Sequence, residues 1–211
     1  MIIPNYWEWR LKMIVEENKK LIERYPFLLP KDCNDNVNEN YDYSYTELDF
    51  MPKGWRKAFG NMMMEELRDE LIKIDFLDGF RILQIKDKWG ELRFYTNYIN
   101  DEIDCIIKKY TTISRNVCIR CGRPDTRMTG KSWYSPVCKE CHEQEQQILQ
   151  EKYGYKKIPY INIISDKDMG IISDRFTTTR NYKGKDVKTT YVFPETVEEI
   201  RRKWKEEHSE K

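Results

Sequence analysis

Apolar positions follow two spacings along the chain, three to four residues in some stretches and alternation in others, and the changes between them mark out elements. Trp7, Leu11, Ile14, Val15, Asn18, Leu21, Ile22 and Tyr25 recur at helical spacing. Asn5 followed by Glu8 reads as a capping arrangement and Pro26 ends the run, so a helix is predicted over about 5–25. Phe59, Met63, Leu67, Leu71 and Ile74 place a second amphipathic helix between Trp55 and Phe76, with the methionines at 62–64 as core filler. Segments 80–87 and 91–98 are rich in Ile, Leu, Phe and Tyr and flank Lys88-Trp89-Gly90, which predicts a β-hairpin with glycine in the turn. Ile103, Ile106, Ile107, Tyr110 and Ile113 mark a third helix. Another is predicted from Lys139 to about Tyr153, where Ile148 and Leu149 are available for packing. The tail turns β-rich at 159–165 and 171–179, and 176–182 with 187–193 form a second hairpin around Lys183-Gly184-Lys185-Asp186. Pro194 opens a final helix with Val197, Ile200 and Trp204 on one face, and residues 205–211 are expected to fray.

Residues 31–52 break the pattern. Six acidic residues stand there against Lys31, with many Asn and Tyr and little periodicity, so the segment reads as a long surface loop, either a solvated connector or a contact surface. The elements together predict an α+β fold of helices and hairpins. They divide into a body at 1–115, a cysteine-rich unit at 116–153 and a β-hairpin tail with a closing helix at 154–211. At 211 residues and 39% hydrophobic content the chain can bury a core. Its 35% charged residues nearly balance at a net charge of +1, so overall charge selects neither nucleic acid nor an acidic mimic of it. The amino terminus has no apolar run and no stretch is long enough to span a bilayer, so a cytoplasmic protein with no membrane partner is expected.

That compartment bears on the six cysteines. In a reducing environment paired cysteines are metal ligands more often than disulfides. Cys118-x2-Cys121 and Cys138-x2-Cys141 have the spacing of a tetrahedral thiolate site for a structural Zn2+, whose four protein ligands leave no position for water or substrate. A knuckle ending in Gly122, room for a short hairpin around Gly130, and a second pair at a helix start follow the order of parts in treble-clef or ribbon-like fingers. His142 could replace one thiolate, but reads better as a surface residue on the first helical turn. Cys33 and Cys105 read as ordinary thiols. Catalytic uses of such a unit make demands that are not met. A zinc deaminase needs His-x-Glu and Pro-Cys-x-x-Cys, whereas Pro136 stands one residue too early and no histidine precedes the cysteines. Treble-clef nucleases need a histidine between the pairs, and the two histidines are His142 and His208. No catalytic residue is therefore assigned.

Between Lys108 and Lys131 seven basic residues face Asp125 alone. Arg115, Arg120, Arg123, Arg127 and Lys131, with Trp133 and Tyr134, form a candidate basic and aromatic binding surface for phosphates and bases or for an acidic protein. The competing reading is that these arginines neutralise the thiolates or hydrogen-bond to them, and the acidic loop could dock on the same patch.

The stretch 46–60, which contains Pro52-Lys53-Gly54-Trp55, the stretch 81–95 and the run Cys118-Ile-Arg-Cys121-Gly122-Arg-Pro124 together resemble a family of hypothetical proteins from phages and prophages of gut bacteria. The likeness covers about residues 46–145. It implies a small accessory protein acting in the host cytoplasm. Without catalytic groups, such a protein is expected to bind a host protein and inhibit or redirect it, with a defence system as one target. A nucleic-acid-binding regulator using the basic surface is the second expectation, and an enzyme with an unrecognised site the third.

Overall fold

The computed structural model describes residues 6–32, 34–126, 128–129, 135–156, 173–182 and 185–209. They form an α+β fold in which helices pack with antiparallel strand pairs. Helix α1 runs over Tyr6–Arg24 and gives way at Pro26 to a 3-10 turn, Pro26–Leu28, that buries Phe27 and Leu28. Proline cannot donate to the helical ladder, so the chain turns there. Asn18, a polar residue at an apolar position of the repeat, is buried, and its Nδ2 donates to the Tyr43 carbonyl at 2.8 Å.

Segment 31–52 is only partly the surface loop that its composition suggests. It ends in a 3-10 turn, Glu47–Phe50, and Thr46, Leu48 and Met51 are buried. Asp49 holds the start of that turn: the Thr46 N–H donates to Asp49 Oδ2 at 2.7 Å and the Thr46 hydroxyl donates to the same oxygen at 3.0 Å. Two of the loop's acids are engaged outside the cysteine unit. Asp35 pairs with Lys31 and Arg81, and Asp49 with Arg56.

The second predicted helix is three pieces in series: α2 (Lys53–Trp55), a π-helical turn (Arg56–Gly60) and α3 (Asn61–Lys73). Trp55, Phe59, Met63, Leu67 and Leu71, all buried, are spaced by four throughout. Four residues overshoot one α-helical turn by roughly 40°, so such a stripe drifts around the helix; a wider π turn offsets part of the drift. Met63 and Met64 have no exposed surface, as expected of core filler.

Strands β1 (Ile82–Lys88) and β2 (Glu91–Thr96) pair from Lys88↔Glu91 outward, leaving a two-residue turn of Trp89 and Gly90. Both have positive φ, 59° and 74°, the conformation of a type I′ turn. Ile82, Ile85, Leu92 and Phe94 face the core. A register shift between Ile82 and Gln84 leaves Leu83 exposed. Helix α4 (Asp101–Ser114) is capped by Asn100, whose side chain accepts from the Ile103 N–H at 2.8 Å. It closes the core with Ile103, Tyr110 and Ile113; Tyr110 stacks on Phe59 at 5.4 Å and donates its hydroxyl to Glu66 at 2.8 Å.

Within the cysteine unit, helix α5 spans Lys139–Tyr153, as predicted. The tail hairpin pairs β5 (Arg175–Tyr182) with β6 (Lys185–Val192), and helix α6 covers Pro194–His208. The strand predicted at 159–165 lies outside the described residues. Residues 205–208 do not fray: Glu207 pairs with Lys57 at 2.8 Å, Arg202 with Glu206 at 2.5 Å, and the His208 ring stacks on Trp204. Phe193, Val197 and Ile200 are buried in the main core, and Arg180 grips Asp101 with two bonds of 2.7 Å, so the tail packs onto the body. No helix among the described residues is long and apolar enough to cross a membrane.

Candidate metal centre

The peptide after α4 delivers Cys118 and Cys121 on a tight knuckle. The Cys118 N–H donates to the Arg123 carbonyl at 2.8 Å and the Gly122 N–H to the Cys118 carbonyl at 2.9 Å. Gly122 sits at φ 86°, a conformation with no steric cost for glycine. The second pair comes from a different element. Short strands β3 (Met128–Thr129) and β4 (Ser135–Pro136) pair, the chain turns at Val137, and Cys138 is the residue that caps α5. Cys141 then falls on the first turn of that helix, whose positive end favours thiolates. The Ile119 N–H donates to the Pro136 carbonyl at 2.8 Å and fixes the two halves against each other.

All four Sγ atoms lie within 4.8 Å of one another, and Cys121 Sγ is 3.7 Å from Cys138 Sγ. Four sulfurs at about 2.3 Å from a shared tetrahedral centre stand ~3.8 Å apart, so the spacing fits one ion. Cys118, Cys121, Cys138 and Cys141 are free thiols, and Cys118 and Cys138 are buried. The Cys138 N–H points to Cys118 Sγ at 3.4 Å. Packed this closely, the sulfurs set one another's protonation. Hydrogen bonds from Cys121 and then Cys138 hold Cys118 far below the ordinary thiol range. Bonding to that thiolate pushes Cys121 up to about 12 and drives Cys138 higher still. Burial, then the charge on Cys118, pushes Cys141 up to about 12. A divalent cation cancels the repulsion and stabilises all four thiolates, so this donor set can hold a metal ion. The His142 imidazole is not among the converging groups. Cys105 lies half-buried on α4 and burial raises its thiol; Cys33 lies outside the described residues.

Two residues that spacing does not single out lock the knuckle to the body. The Gly54 N–H donates to the Ile119 carbonyl at 2.9 Å, and Trp55 Nε1 donates to the Val117 carbonyl at 2.9 Å. A Cβ on Gly54 would stand 2.1 Å from the Cys118 carbonyl oxygen, and one on Gly122 would stand 2.7 Å from the Gly54 carbonyl oxygen. A glycine just inside a helix signals close backbone approach, but which backbone approaches is settled only in three dimensions. Thr126 supports the loop from behind, its hydroxyl donating to the Arg123 carbonyl at 2.8 Å.

The candidate binding cations among the described residues are engaged within the chain. Arg115 pairs with Glu91 at 2.8 Å, Arg120 with Glu145 at 2.7 Å and Arg123 with Glu140 at 2.5 Å. Lys108 and Lys109 pair with Asp104 and Glu66. The bond from Arg123 is what holds the Glu140 carboxyl below the usual carboxylate range. Two of these carboxylates belong to α5, so the glutamate-rich face of that helix lies beside the knuckle arginines. Arg127, Lys131, Trp133 and Tyr134 lie outside the described residues. Comparison with known proteins returned no match among family models, curated proteins or solved structures.

Proposed function

We propose that the protein is a non-catalytic binding protein, ordered by a structural zinc ion, that occupies the surface of a host protein and inhibits or redirects it. Zinc suits the site because four soft thiolates in tetrahedral array complete its coordination and leave no position for a reacting water. The order of parts, knuckle, short strand pair and helix opening at the second cysteine pair, is that of a treble-clef finger. The phage setting, and with it a bacterial defence system as the target, rests on the resemblance carried by 46–60, 81–95 and the knuckle.

One observation favours a protein over a nucleic-acid partner: Lys108, Lys109, Arg115, Arg120 and Arg123 each have a carboxylate partner within the chain. Exposed pairs of this kind contribute about 0–1 kcal/mol each, so they matter here as charge matching and not as stability. A polyanion would have to displace those carboxylates to release counterions of its own, which weakens the electrostatic term that dominates nucleic-acid binding. The test is affinity capture with the full-length tagged protein from host-cell lysate, with and without nuclease and across a salt series. A protein retained in stoichiometric amount after nuclease treatment is the expected result. Nuclease-resistant nucleic acid in its place, lost steeply as salt rises and lost on charge reversal of Arg123, would replace this reading with a regulator.

A further inference from the structure

Far along the chain from the cysteines, a cavity of about 530 Å³ opens between the Pro26–Leu28 turn, the start of the Glu47–Phe50 turn and the segment entering β1. Its volume lies in the range of small-ligand sites. Phe27, Leu77 and Phe80 supply an apolar wall, and Lys31, Asp32, Glu47, Asp78 and Arg81 supply charge. Two of the charged side chains keep a polar group without a partner among the described residues. Arg81 Nη1 is engaged by Asp35 Oδ1 at 3.3 Å and the Asp32 carbonyl at 3.4 Å, but its Nε is buried and has no hydrogen-bond partner among the described residues. Glu47 is half-buried with no hydrogen bond or ion pair to any described residue, and desolvation raises its carboxyl above the ordinary carboxylate range. By contrast, half-buried Glu66 is matched by Lys109 and Glu91 by Arg115.

A buried donor left without an acceptor is unfavourable, and so is a partly desolvated carboxylate without a cation. A ligand that answers both needs an acceptor for Arg81 and a positively charged N–H group for Glu47. Carboxylates outnumber cations on the wall by three to two, which disfavours a simple anion. We propose that this cavity binds a short apolar peptide with a free amino terminus: its ammonium meets Glu47, a peptide carbonyl or the terminal carboxylate accepts from Arg81, and its side chains lie on Phe27, Leu77 and Phe80. The metal centre takes no part.

The test titrates the full-length, zinc-loaded protein with the tripeptide Leu-Ala-Leu and with its N-acetylated form, by calorimetry and amide chemical-shift mapping. Saturable binding that shifts amides in 26–32 and 77–83 is expected, weakened about tenfold or more by acetylation. Glu47→Gln removes an unpaired charge and keeps the fold; it should weaken the free peptide by a similar factor and leave the acetylated one unchanged. Arg81→Lys keeps the charge but loses the Nε donor, and should weaken both. Absence of saturable binding at millimolar peptide, or binding indifferent to acetylation and to Glu47→Gln, overturns the assignment.

Discussion

Beside the four cysteines the backbone of Gly54 lies tight against the knuckle backbone at Cys118, Ile119 and Gly122. The β-carbon of an alanine at 54 would overlap a carbonyl oxygen and a backbone nitrogen of the knuckle, at 2.1 and 2.7 Å. Backbone atoms cannot rotate aside as a side chain can. Gly54→Ala should therefore cost about 3 kcal/mol or more in chemical denaturation and weaken metal retention against a competing chelator. Gly60 is the control: there a Cβ meets only Arg56 and Met51 side-chain atoms, at 3.4–3.6 Å. Gly60→Ala should be neutral or stabilising by about 0.5–1 kcal/mol, because alanine loses less backbone entropy in a helix. Equal losses at the two positions would show that the knuckle contact is not what makes Gly54 matter.

At the scale of elements, the knuckle, the β3–β4 pair and the start of α5 are held by few apolar groups. Val137, Cys118 and Cys138 are the buried members of that small cluster. A metal ion is expected to supply what the cluster lacks. Cys121→Ser should abolish stoichiometric metal by elemental analysis and remove amide-exchange protection over 116–126 and 135–150, while α3, α4 and β1–β2 keep theirs. The binding energy of a structural zinc, on the order of 10 kcal/mol in small fingers, is largely folding energy. Protection unchanged across 116–150 in metal-free Cys121→Ser would refute this.

The same scale shows what the sequence reveals and what it hides. Helices α1, α3 and α4 and the first hairpin are legible because their apolar residues repeat with the period of the element, and the cysteine spacing is legible because both ligands of a pair sit on one turn. The burial of Thr46, Leu48 and Met51 is hidden, because three inward residues in an acidic, asparagine-rich segment make no period. So is the contact of Gly54 with the knuckle, which joins positions more than sixty apart. The described part of the basic run, from 108 to 123, looks like an open surface only while charges are counted along the chain. Glu140 and Glu145 of α5 and Glu91 of the hairpin approach it through folding.

For the whole molecule, buried phenols set an alkaline limit. Burial, with Glu66 beside it, raises the Tyr110 hydroxyl well above its usual value. Tyr25 is pushed up to about 12, first by burial and then by its bond to Glu65. A group whose pKa is raised by folding contributes stability that is complete below its unfolded pKa, about 10 for tyrosine, and is lost as pH rises through the folded value. Denaturation midpoints should thus hold steady to about pH 9.5 and fall from pH 10 to 12, together with the rise of tyrosinate absorbance. Midpoints that stay flat through pH 12 would contradict it.

The body is also clasped from its far end. Arg201 on α6 bonds both oxygens of Asp125, in the knuckle loop, at 2.9 and 3.0 Å, and Lys57 within the π turn meets Glu207. About 60 residues separate the last cysteine from Arg201. A ribosome adding roughly 5–20 residues per second exposes the four sulfurs several seconds before the clasp is synthesised. The nascent chain thus has an interval in which an ion can enter a half-built pocket, and the carboxyl-terminal helix then latches the loop behind it.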